Sequence, residues 1–141
     1  MEGALVAAGV LLAATVFGLV RRHRDGRLRA VREVEDAVPE RLGPEELGVG
    51  LGERATLVQF STAFCAPCRT TRRVLEDVAG MVEGVAHVEI DAEARLDLVR
   101  RLNVVRTPTV LVLDTAGRVV RRASGAPRKA DVIAALGAAI D

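Results

Sequence analysis

The chain has 141 residues, enough for one ordinary domain and an extra segment, and its Lys+Arg 20 against Asp+Glu 19 leave a net charge of +1 that gives no overall electrostatic case for nucleic-acid binding. An aromatic content of 2%, with neither Trp nor Tyr, argues against stacking platforms for bases or sugars. Two cysteines are too few for a disulfide scaffold or a four-cysteine zinc site, and 50% hydrophobic residues exclude disorder by composition.

The first element runs from Gly3 to Val20. It carries no charge, and Thr15 is its one polar side chain. At about 1.5 Å rise per residue such a helix just spans a hydrocarbon core of roughly 30 Å. A cleaved signal peptide would show a shorter apolar core preceded by positive charge, whereas the only charged side chain before this one is Glu2. Residues 1–22 therefore read as a single N-terminal transmembrane helix. Arg21, Arg22, Arg24, Arg27, Arg29 and Arg32 follow it. By the positive-inside bias they place the C-terminal side in the cytoplasm, and they suit anionic head groups on the same leaflet. The expected location is the cell membrane, single-pass, with the membrane contact made by residues 3–20.

Residues 23–43 read as a basic juxtamembrane linker punctuated by Pro39 and Gly43, and 44–141 as a globular domain. Pro44-Glu45-Glu46-Leu47 suits a short first helix, with Pro at its first position and acids in its first turn. Thr56 to Phe60 is an apolar run of the buried-strand kind. Val74, Leu75, Val78 and Val82 then recur at helical spacing, with Gly84 as the expected stop. Val85 to Ile90 predicts a second strand, and Leu96, Val99 and Leu102 a shorter helix. Thr109 to Leu113 is the most strand-like run, and the turn Asp114–Gly117 returns it as a hairpin through Arg118 to Ala123. Val132, Ile133, Leu136 and Ile140 mark a closing helix. Strands alternating with helices and ending in a hairpin predict an α/β fold, a mixed sheet covered on both faces.

Phe64-Cys65-Ala66-Pro67-Cys68 falls between the first strand of the domain and its helix. C-x-x-C in that setting reads as a redox dithiol. A helix N-terminus presents unpaired N–H groups and partial positive charge, which favour the thiolate, the species that attacks a disulfide. A second cysteine one turn along can reach the first sulfur, and Pro67 suits the first helical turn. A zinc site would need two further ligands, and His23 beside the membrane is badly placed to join His87. No metal is expected. Asp91, Glu93 and Asp97 read as solvated charges, not an acid pair.

From about Ala55 onward the chain resembles the thioredoxin family, as a membrane-anchored member of actinobacterial type. The resemblance rests on Phe60 followed by Phe64-Cys65-Ala66-Pro67-Cys68, on Thr107-Pro108-Thr109 opening the strongest strand, and on Gly125 after the last one. It implies the thioredoxin fold, with Cys65 as nucleophile and Cys68 as resolving thiol. It places Pro108, after a cis bond, in the docking groove with Arg106, Thr107 and Gly125, and Phe64, Ala66 and Pro67 on the approach surface. The backbone of Thr107 would pair with an extended client segment. It implies protein disulfides as substrates, a reductase or membrane dithiol as redox partner, and no cofactor beyond the chain itself. The stretch from Cys68 to Pro108 leaves no room for the central insertion of extracytoplasmic cytochrome-maturation relatives.

Four residues depart from the family pattern. Phe64 stands where a Trp is usual, Ala66 where a Gly is, and Ser61 where many members have a second Trp. Gln59 occupies the position of a commonly buried Asp that takes the proton of the resolving thiol; an amide cannot. His87, where the family often has Lys, is a candidate substitute because an imidazole titrates near neutral pH. The plainer alternative is a half-buried strand histidine bonded to Gln59 or to backbone. The expected activity is thiol-disulfide exchange that reduces protein disulfides. An extracytoplasmic oxidase, isomerase or cytochrome-maturation protein and a non-catalytic adaptor are the competing classes.

Overall fold

The computed structural model describes residues 1–30 and 40–140. Residues 31–39 of the expected linker, including Arg32 and Pro39, lie outside those residues, as does Asp141.

Helix α1 covers Glu2–Arg24, and none of its residues is buried. Among the described residues it is the one helix long and apolar enough to cross a membrane, a property that a signal sequence would share. Strand β1, Arg29–Ala30, follows at once and was not foreseen. The remaining order is α2 Pro44–Leu47, β2 Ala55–Ser61, α3 Ala66–Met81, β3 Val85–Asp91, α4 Leu96–Arg101, β4 Thr109–Leu113, β5 Val119–Ser124 and α5 Lys129–Ile140. The sheet order is β1-β5-β4-β2-β3, with β2 and β3 parallel and the other pairs antiparallel.

Side chains on successive strand residues point to opposite faces, and this sheet buries both. Val58 and Phe60 of β2, with Leu111 and Leu113 of β4, pack toward Leu98 and Leu102 at α4 and Leu47 of α2. Ala55 and Leu57, with Val110 and Val112, meet Leu75 and Val78 of α3 and Val132 and Leu136 of α5. This is the mixed sheet with helices on both faces that the alternation of elements predicts. One boundary differs. Helix α3 stops at Met81, whose following residue Val82 is already extended, and Gly84 (φ +81) belongs to the turn that starts β3.

Both described ends of the stretch read as linker are docked on the domain. Leu42 is 0% exposed and its N–H donates to the Gly117 carbonyl, while Val119 N–H donates to the Glu40 carbonyl. Glu46 pairs with Arg101, whose guanidinium also donates to the Arg41 carbonyl, fastening α2 and its approach to α4. At the other end Gly26 N–H donates to the Ser124 carbonyl at 2.9 Å, Leu28 packs against the α3/α5 core, and Arg29 and Ala30 pair with Arg122 and Arg121. An isolated Leu among charges carries no periodic signal, so neither docking was legible in the sequence.

The β4–β5 turn is held by Asp114. Its Oδ1 accepts the N–H groups of Ala116 and Arg118, and its Oδ2 accepts the Arg118 guanidinium. Burial works against its charge, but these donors outweigh it and hold the carboxyl below its ordinary value.

Candidate functional site

Strand β2 ends at Ser61 and delivers Cys65 to the first position before α3. The chain turns into a helix there because Cys65 is extended (φ −118) and acts as the N-cap, while Pro67 sits in the first turn, where its missing N–H is not needed. The stripe Cys68, Thr71, Leu75 and Val78 then buries one side of α3 against the sheet.

Cys65 and Cys68 are joined by a disulfide, with an S–S distance of 2.07 Å. The Cys65 sulfur also accepts the Cys68 N–H at 3.2 Å. Cys65 is partly exposed and Cys68 only 1% exposed, so the first cysteine is open to solvent and the second is not. Phe64 stands fully in solvent at 102%. Ala66 and Pro67 are exposed beside it.

Across from the dithiol lies the turn into β4. The Thr107–Pro108 bond is cis. Thr107 Oγ1 sits 3.3 Å from Thr62 Oγ1, tying this turn to the loop that carries the cysteines. Gly125 N–H donates to the Pro108 carbonyl at 2.7 Å, and its φ of +100 is a conformation that side chains disfavour. Arg106, expected at the docking groove, bonds the Ser124 carbonyl at 3.1 Å and pairs with Asp25 at 3.4 Å. Pro67, Arg106, Thr107, Pro108 and Gly125 line one cleft of about 890 Å³, and the end of α1 forms its other wall.

A family model described as Thioredoxin matches residues 48–138. The chain belongs to the thioredoxin family. A thioredoxin of Mycolicibacterium smegmatis is 33% identical over 90 residues, covering 62% of this chain and 80% of that one. The human Thioredoxin domain-containing protein 2 is 36% identical over 58 residues, 41% of this chain and only 10% of that much longer protein. Chloroplastic thioredoxin z superposes with a TM-score of 0.59 at 27% identity, over 72% of this chain and 94% of its own. Helix α1 precedes the matched residues.

Beneath the dithiol, where thioredoxins commonly bury an Asp, Gln59 is 0% exposed. Its Nε2 donates to the Cys68 carbonyl at 2.8 Å and to Ser61 Oγ at 2.9 Å, and its Oε1 has no partner among the described residues. Ser61 Oγ donates in turn to Glu89, which Arg72 of α3 clamps with two bonds of 2.7 and 2.8 Å. Ser61, both cysteines, Arg72 and Glu89 line a second cavity of about 380 Å³ beside the disulfide. Sequence reasoning missed Glu89. The parallel register sets Gln59 beside Glu89 and Leu57 beside His87, and only that pairing reveals which β3 side chain approaches the site.

His87 is half-buried, and its Nε2 has no partner among the described residues, so the simple bond to Gln59 is not made. Burial lowers its pKa from the ordinary imidazole value, against the opposing pull of Glu76 and Glu89. The imidazole is therefore neutral at neutral pH. Because the folded value lies below the unfolded one, His87 adds no penalty above about pH 6.5 and destabilises the fold progressively as pH falls below it. A His87→Ala chain is expected to lose part of that acid sensitivity in urea titrations between pH 7 and pH 5. If His87 also relays the Cys68 proton, the pH profile of disulfide reduction shifts in the same variant; an unshifted profile removes the relay and leaves a packing residue.

Proposed function

We propose that the chain is a membrane-tethered protein-disulfide reductase whose thioredoxin domain, residues 44–141, faces the cytoplasm. The reading is carried by one observation: the Cys65 sulfur caps α3, accepts the Cys68 N–H at 3.2 Å, and lies within bonding distance of the Cys68 sulfur. In the reduced state the helix terminus favours the Cys65 thiolate. The thiolate attacks a client disulfide, forming a mixed disulfide and releasing one client thiolate. Cys68 then loses its proton and attacks Cys65, closing the internal S–S bond and freeing the second client thiolate. Two electrons have passed to the client, and a reductase or membrane dithiol partner returns them. Arg106, Thr107, Pro108 and Gly125 receive the client segment, and Phe64, Ala66 and Pro67 shape its approach.

Insulin reduction by the full chain in detergent tests the activity. Cys65→Ser is expected to fall to the uncatalysed background while the unsubstituted chain turns over. Equal inactivity of the two would favour a binding adaptor. Reporter fusions after Ile140 test sidedness: a reporter active only in the cytoplasm should work. Activity of the outside-only reporter would overturn the cytoplasmic assignment and favour oxidase, isomerase or cytochrome-maturation roles.

A further inference from the structure

Resting on that reading of α1 and the dithiol, we propose that residues 25–30 form a strap that holds the dithiol face against the membrane, so that its clients are disulfide-bearing segments of proteins embedded in the same bilayer. The strap is fastened at three points, one in the turn before β4 and two on β5, the strand that ends at the docking groove. Asp25 pairs with Arg106, Gly26 N–H donates to the Ser124 carbonyl, and β1 adds to the edge of β5. Gly26 is buried at φ +78, and a Cβ there would collide with the Ala126 carbonyl, so the chain is seated closely rather than passing by.

Arg24, the last helical residue, is two residues from Gly26, so their α-carbons are at most about 7.6 Å apart. The membrane exit is thus tied to the end of β5 that carries Gly125, not to a long free tether. Leu19 and Arg22 of α1 face the same cleft as Pro67 and Pro108. A soluble domain of about 100 residues has a radius of gyration near 13 Å, and would have to bring its bulk between this face and the head groups. An extended segment emerging from the bilayer beside α1 enters the cleft directly. The charge of the lining narrows the partner further. Asp25 and Asp131 are each paired with an arginine, Arg106 and Arg128. That leaves Arg22 and Arg27 without an acidic partner among the described residues, which suits an acidic segment.

The chain contains no Trp, so a single introduced one reports its own depth. Val105 is 76% exposed beside Arg106, at the dithiol end, and Thr115 is exposed in the turn at the opposite end of β4. The full chain carrying Val105→Trp or Thr115→Trp is placed in phosphatidylcholine–phosphatidylglycerol vesicles containing brominated lipid. Quenching is expected to be several-fold stronger at position 105; equal quenching at both positions overturns the proposal. Adding Gly26→Val to the Val105→Trp chain should erase the difference. A functional arm uses insulin as a soluble client. The unsubstituted chain should reduce it several-fold more slowly in vesicles than in detergent, and Gly26→Val should restore the rate; equal rates in vesicles and detergent count against the strap. Failure to reduce insulin even in detergent would sink the reductase reading alone, and the tryptophan pair would still decide the orientation.

Discussion

A Cys68→Ser chain is expected to stop turning over and to accumulate a covalent adduct with its client. The two sulfurs differ in access: Cys65 is partly exposed and Cys68 is buried beneath it. On the proposed function, attack on the client therefore falls to Cys65 and release to Cys68. A hydroxyl at position 68 does not displace a disulfide at neutral pH, because the reaction needs a thiolate. The substitution leaves the groups that prepare Cys65 in place. The donor to its sulfur is the backbone N–H of residue 68, and the Gln59 amide binds the backbone carbonyl of the same residue. Attack should proceed and resolution should fail. Non-reducing gels of the variant mixed with insulin should show the adduct, absent from Cys65→Ser and dispersed by dithiothreitol. Sustained turnover by Cys68→Ser, or no adduct at all, would remove the division of labour between the two cysteines.

The dithiol was legible in the sequence because its chemistry is local. Two cysteines three positions apart, a Pro in the first turn and an apolar strand before them specify a helix-capping sulfur with its neighbour one turn on. The core was legible for a similar reason: β2 and β4 are short runs made mostly of apolar residues, and α3 repeats its apolar residues at helical spacing. What escaped depends on contacts between distant residues. Glu89 reads as an ordinary edge-strand charge until the β2–β3 register places it opposite Gln59. The strap is two residues long where it pairs, too short for any periodic pattern, and its fastening rests on Gly26 fitting against Ala126. Arg106 was legible by its position before Thr107-Pro108, but its bonds to Ser124 and Asp25 were not.

Gln59→Asp should exchange stability for faster resolution, and both changes should grow with pH. The position is 0% exposed, and the amide there gives two hydrogen bonds, to the Cys68 carbonyl and to Ser61. A carboxylate has no hydrogen to give and would set its charge against the Cys68 carbonyl oxygen. Desolvation and that repulsion both favour the neutral acid, so its pKa in the fold rises above the ordinary Asp value of about 3.9. The sign of the linkage follows. Below pH 4 the acid is neutral in the folded and unfolded chain alike, and the destabilisation is confined to the lost hydrogen bonds, about 1–3 kcal/mol. Above pH 4 the unfolded chain ionises first, and stability falls by about 1.4 kcal/mol per pH unit until the folded acid also titrates. Urea unfolding at pH 5 and pH 8 should therefore diverge by several kcal/mol in the variant relative to the unsubstituted chain. The same acid is placed to take the Cys68 proton as the mixed disulfide resolves, a step the amide cannot assist. Single-turnover resolution should quicken several-fold near the pH at which the acid ionises. Equal stability loss at pH 5 and pH 8 would mean that the pocket admits water freely and that Gln59 is no more than a polar filler under the dithiol.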